Sequence, residues 1–163
     1  MILRLAPLIV LMTFGAVQLA DARLGETQDQ LTARYGKGSV PWQATPDYPV
    51  FVQMFYKNGT TITVRLINGI SVGETYQQES GATEKEMTDL LTVNAQGHTW
   101  KVKPTKSHSP SEPITKMWFR DDGAFAFCKV PFVFIIKSKQ LDDADKAQAA
   151  IEKKAGLTSL KDF

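Results

Sequence analysis

Two Asn-Gly dipeptides, Asn58-Gly59 and Asn68-Gly69, stand ten residues apart in a stretch rich in β-branched and aromatic residues. A two-residue hairpin loop of type I′ needs positive φ at both positions, and Asn-Gly tolerates that best. Two such turns so close together predict a three-strand antiparallel meander from Pro49 to about Gln77. Loop length also sets the register: Phe55 faces Ile62, Gln53 faces Val64 and Phe51 faces Leu66. Carried unbroken through the second turn, this register puts Ser71, Gly73 and Thr75 on the same first face. The opposite face then carries Val50, Val52, Met54 and Tyr56, with Thr61, Thr63, Arg65 and Ile67, and with Ile70, Val72, Glu74 and Tyr76. Gly73 on the first face would let a helix approach closely, which makes that face the core.

Helix-start chemistry brackets the meander. Thr27 with Gln30 forms a capping box, Leu31 and Tyr35 lie one turn apart, and Gly36 stops the helix. Thr83 with Glu86 repeats the box for a helix from Glu84 to about Ala95, whose apolar stripe is Met87, Leu90 and Leu91 and whose stop is Gly97. A short strand around Trp100 and Val102 leads into a proline-serine segment from Pro104 to Pro113, which disfavours regular structure. Asp122-Gly123 then turns a third hairpin between Ile114–Arg120 and Ala124–Val130. Phe132 to Lys137 adds a strand, and a last helix runs from Asp143 to Ala155, capped by Asp142 and ended by Gly156.

The pattern predicts an α+β fold: antiparallel β-meanders with helices packed on one face. Gly25, Thr27, Gln30, Leu31 and Thr32 recur as Gly81, Thr83, Glu86, Met87 and Thr88. Residues 23–80 and 81–163 therefore read as two tandem α-β-β-β units sharing one core, the second with an added C-terminal helix. Gly25-Glu26-Thr27, Gln30-Leu31 and Tyr35-Gly36 resemble the helix motif of the outer-membrane-assembly lipoproteins called SmpA or BamE, and tandem units of this kind resemble the β-lactamase inhibitory proteins. The resemblance implies a binding module that presents a sheet to another protein. Gly38 stands where the lipoprotein motif usually has proline, and no lipid-accepting cysteine is present.

Residues 1–22 read as an export signal. Arg4 is the only charge before Asp21, Leu5 to Val17 is almost wholly apolar, and Ala20-Asp21-Ala22 offers small residues to a signal peptidase. Cleavage there would start the mature chain at Arg23, and a helix is expected in the signal that packs little against the rest. The uncharged run is shorter than a membrane-spanning helix requires, so no stable membrane span is expected after cleavage. The address is periplasmic or secreted. A net charge of +2 with both signs scattered lacks the dense basic footprint that nucleic acid demands.

Few residues suit catalysis. Cys128 is the sole cysteine, and the hairpin register puts it on an apolar face with Met117, Phe119 and Ala126. His98 and His108 lie at no metal-ligand spacing from it, so neither a metal nor another cofactor is expected. Asp121, Asp122, Asp142, Asp143 and Asp145 are accounted for by turn and helix-start preferences. On the other face of the third hairpin Trp118, Phe125 and Phe127 interleave with Lys116, Arg120 and Lys129, a mixture common at interfaces. The expected function is non-catalytic binding of a protein or envelope component through a sheet face made by Val50, Val52, Met54, Tyr56, Arg65, Val72, Glu74 and Tyr76. The alternatives are a thiol hydrolase using Cys128 with His98 or His108, and a small-molecule carrier with an aromatic-lined pocket beside Trp118.

Overall fold

The computed structural model describes residues 23–39, 43–104, 114–129 and 133–155. The export signal and the helix expected in it, Trp42, His108 with residues 105–113 of the proline-serine segment, and Gly156 lie outside the described residues. The elements in chain order are α1 (Gln28–Tyr35), β1 (Phe51–Lys57), β2 (Thr60–Ile67), β3 (Ile70–Gln78), α2 (Glu84–Val93), β4 (Trp100–Lys103), β5 (Ile114–Arg120), β6 (Phe125–Lys129), β7 (Val133–Lys137) and α3 (Lys139–Lys154).

All the strands pair antiparallel in one sheet, in the order β1-β2-β3-β7-β6-β5-β4. Two meanders meet where β3 pairs with β7, so each half is a helix followed by a meander whose last strand is central. The fold is α+β, as the patterning predicts. The second half has four strands, not three, because β4 adds a short outer edge.

Local chemistry explains the elements. Thr27 and Thr83 cap α1 and α2 through complete capping boxes, with near-identical extended backbones. Gly25 and Gly81, each two residues before its cap, both have positive φ (88° and 75°), a conformation that favours glycine. Asn58, Gly59, Asn68 and Gly69 all have positive φ, as type I′ turns require. The β1–β2 register is the expected one, with Phe55 opposite Ile62, Gln53 opposite Val64 and Phe51 opposite Leu66.

The β2–β3 register departs from expectation. Leu66 pairs with Ser71, but Arg65 pairs with Gly73, so Val72 is one residue too many. This β-bulge turns every later side chain of β3 to the other face. Ser71 and Glu74 both enter the main core, while Val72 and Gly73 both face outward. The carbonyl of Val72 accepts the amide of Ser138 at 2.8 Å, and Ser138 caps α3, which therefore starts before the expected cap at Asp142. Gly73 does admit a helix, but on the opposite face. A Cβ at Gly73 would lie 2.2 Å from Leu141 Cδ2.

The sheet is consequently covered on both sides, not one. On one face α1 and α2 pack Leu31, Tyr35, Met87, Leu90 and Leu91 against Phe55, Ile62, Val64, Leu66, Phe134 and Ile136. On the other, α3 buries Leu141 against Val50, Ile67 and Val72. The third hairpin is also shifted. Arg120 donates its amide to Ala124, and Gly123 (φ 89°) donates to Arg120, so the loop is the three residues Asp121-Asp122-Gly123. Phe119 then pairs with Phe125 and Trp118 with Ala126, which flips the expected faces. Trp118 goes to the main core, packed edge-on to Phe134 at 5.8 Å, while Phe119, Phe125 and Phe127 stack on the outer face.

The Gly73–Leu141 contact can be tested by a double-mutant cycle. Gly73→Ala should cost about 1–3 kcal/mol by overpacking, and Leu141→Ala about 2–5 kcal/mol by leaving a cavity. Combined, they should cost less than their sum, since the new methyl occupies space that Leu141 vacates. Strictly additive unfolding energies would contradict this docking of α3.

Candidate functional site

The bulge divides the eight residues expected to form one binding face. Met54 (48%) and Tyr56 (72%) are exposed on the outer face of edge strand β1. Val52 and Arg65 are half-buried there, at the margin of α3, and Val50 and Val72 are buried beneath it. Glu74 and Tyr76 are on the other side of the sheet, buried in the main core. The eight therefore do not share a surface, and the physical reason is the extra residue at Val72. Towards the first turn, the outer face carries one cross-strand row of Met54, Thr63 and Thr75 beside another of Tyr56, Thr61 and Gln77, with Met54, Tyr56 and Gln77 exposed and the three threonines half-buried like Arg65. None of these six side chains is charged.

Glu74 becomes the centre of a buried polar network. Its side chain has no solvent exposure, and two hydroxyls donate to it: Ser71 to Oε1 at 3.1 Å and Tyr76 to Oε2 at 2.7 Å. Tyr76 also bonds the hydroxyl of Tyr35 on α1. Nearby, Arg34 Nε donates to Glu26 Oε2 at 3.1 Å, and the guanidinium makes a second bond to the same carboxylate. Burial pushes the Glu74 carboxyl up to about 7, with the Glu26 charge adding to it, against the two hydroxyl donors and Arg34. Burial likewise pushes the phenols of Tyr35 and Tyr76 well above their usual range. Gly73 in mid-strand was the one sequence signal that could have revealed this placement, since such a glycine often marks a bulge.

Cys128 and His98, the described half of the expected thiol site, are not brought together. Cys128 is half-buried against the main core opposite Lys116 and Phe134, not beside Met117 and Phe119, because the longer third turn shifts β6 by one residue. Its thiol points to the carbonyl of Lys129 at 3.9 Å. His98 is near the other end of β5, where Nδ1 meets Asp121, roughly 16 Å along the strand from the Cys128 position at about 3.3 Å per residue. His98, Asp121 and Asp122 could offer ligand atoms within 4.8 Å of one another. All three are already engaged. Asp122 accepts Arg120 Nε at 2.8 Å and Nη2 at 2.6 Å, and these bonds hold its carboxyl down to about 2. Asp121 accepts His98 and the amide of Thr99. Arg120 also donates to the carbonyl of Asn94 and lies 5.4 Å from the Trp100 ring, so this cluster clamps α2 to β4 and β5.

A cleft of about 150 Å³ opens between α2 and the β1–β2 turn, on the α1 and α2 side of the sheet. Ile62, Tyr76 and Leu90 line it from the core side, with Lys57 at the end of β1, Asn58 on the turn, and Glu86 and Asp89 on α2. Tyr76 thus joins the buried network to an open surface. Sequence reasoning missed this cleft because tertiary packing alone brings its walls together.

Among the described residues no helix is long and apolar enough to cross a membrane. No family model matches this chain, and neither does any curated protein or any solved structure.

The raised Glu74 value predicts a pH-dependent stability. A proton held more tightly in the folded state than in the unfolded chain stabilises fully below pH ~4.5, and that stabilisation is lost as pH rises towards ~7. The difference is on the order of 3 kcal/mol across that window. Unfolding midpoints measured from pH ~4.5 to ~7 should fall for the wild type and stay nearly flat for Glu74→Gln. Parallel curves for the two proteins would contradict the assignment.

Proposed function

We propose that this chain is an exported, non-catalytic binding module, and that its partner, a protein or envelope component, meets the outer face of the first meander. One observation carries the reading: in a chain with 22% charged residues, the rows Met54-Thr63-Thr75 and Tyr56-Thr61-Gln77 carry no charge, with Arg65 at their margin, and two of their side chains, Met54 and Tyr56, are large and exposed. Depletion of charge around exposed aromatic and methionine side chains is the compositional mark of an interface centre. Tyr56 suits the role of an anchor, with a rigid ring for burial and a hydroxyl for one directed hydrogen bond. The engaged state of His98 and its separation from Cys128 favour binding over a thiol hydrolase that pairs Cys128 with His98.

A photo-crosslinking amino acid at position 56 should yield an adduct in the native envelope, and the same group at Ile151, exposed on α3, should not. With the partner purified, Tyr56→Ala should weaken binding by at least about tenfold. The same change should shift unfolding free energy by under ~1 kcal/mol, because the ring is mostly in solvent. Equal adducts from both positions would remove this face from consideration. The first residue of the protein recovered from outside the cytoplasm should be Arg23, and recovery beginning at Met1 would contradict cleavage.

A further inference from the structure

We propose that the cleft between α2 and the β1–β2 turn binds a small zwitterion with an apolar body, the chemistry of a free α-amino acid such as leucine. The site is distinct from the outer face, since the two lie on opposite sides of the sheet.

The cleft is built with separated charges. On the turn side, Lys57 Nζ donates to the carbonyl of Arg34 at 2.6 Å and lies 5.9 Å from the centre of the Tyr35 ring. An ammonium has three donors, so two can serve a ligand carboxylate. Asn58 lines the same side of the cleft. Across the cleft, Glu86 uses only Oε2 for its capping bonds to Thr83, at 2.8 Å from both the backbone amide and the hydroxyl, and for Gln78 Nε2 at 3.3 Å. Asp89 uses only Oδ2, for Lys85 at 2.5 Å. Glu86 Oε1 and Asp89 Oδ1 therefore have no partner among the described residues. The two residues are three apart on one helix, close enough to act on a single ammonium.

Between these walls Ile62, Tyr76 and Leu90 present buried apolar surface, which suits a branched aliphatic body. The volume of about 150 Å³ is enough for one small hydrocarbon body. The walls are also rigid. Glu86 is fixed by its capping box, which holds its carboxyl below the usual carboxylate range, and Tyr76 is fixed by Glu74. A preorganised site of two opposed charges around an apolar floor binds a molecule that matches all three features, and loses affinity when any one is removed.

Titration of the folded protein with leucine, followed by amide NMR, should give saturable shifts in Lys57 to Ile62 and in Glu86 to Leu90. Isoamylamine lacks the carboxylate, 4-methylpentanoate lacks the ammonium and glycine lacks the apolar body. Each should bind at least about tenfold more weakly than leucine. Asp89→Asn and Lys57→Met should each weaken leucine by a similar factor, with folding checked by the thermal midpoint, and Tyr56→Ala should leave leucine binding unchanged. The absence of saturable shifts in the cleft, or an analogue binding as tightly as leucine, would overturn the proposal even if a variant failed to fold, because the ligand series uses the unmodified protein.

Discussion

The β-bulge at Val72 is the constraint on which the rest of this structure depends. A regular β3 would carry Ser71, Gly73 and Thr75 inward and would leave Val72, Glu74 and Tyr76 on the other side. With one residue added opposite Arg65, Ser71 and Glu74 face inward together and hydrogen-bond each other. Val72 and Gly73 face outward together, one supplying apolar surface and the other a notch for Leu141. The backbone groups freed by the irregularity are also used. The carbonyl of Val72 accepts the first turn of α3, and Ser71 exchanges amide and carbonyl bonds with Gly25 and Glu26 ahead of α1. The inserted residue thus seats α3 on the outer side, next to the point where the segment ahead of α1 attaches.

The buried polar groups follow from that geometry. A carboxyl with no exposure is costly unless it is neutral or hydrogen-bonded, and Glu74 has both hydroxyl donors and a raised affinity for its proton. Comparable wiring holds the two halves to each other. The buried Asn94 at the end of α2 accepts the amide of Leu24 at 2.8 Å and donates to Leu90, and Arg120 reaches the Asn94 carbonyl from β5. The N-terminal segment, α2 and the second meander therefore meet at one residue. Tethering of this kind keeps the cleft walls and the outer face in fixed relation to the sheet.

How much of this was legible depended on whether the determining signal was local. The capping boxes at Thr27 and Thr83 and the Asn-Gly turns are short-range chemistry, and they gave the helix starts, the first meander and the β1–β2 register. Three features needed more than the nearest neighbours. The bulge hung on Gly73, whose absent Cβ serves both the irregular backbone and the approach of Leu141, and a lone mid-strand glycine signals a close approach without saying on which face. The third turn depended on whether Asp121-Asp122-Gly123 makes a loop of two residues or three, and that single residue decides which side of the sheet Trp118 and Cys128 enter. The start of α3 was obscured because β7 passes into it through Ser138 without a turn, while Asp142 offered a competing cap. The predicted binding face failed in the same way: Met54 and Tyr56 precede the bulge and stayed outside, whereas Glu74 and Tyr76 follow it and went in.

The register of β3 is accordingly the quantity that matters most, and cross-strand nuclear Overhauser contacts between β2 and β3 report it directly. The bulged arrangement predicts that Leu66 faces Ser71, Val64 faces Glu74 and Ile62 faces Tyr76. Contacts pairing Val64 with Gly73 and Thr63 with Glu74 would signal an uninterrupted ladder, and would contradict the account of both faces of the sheet.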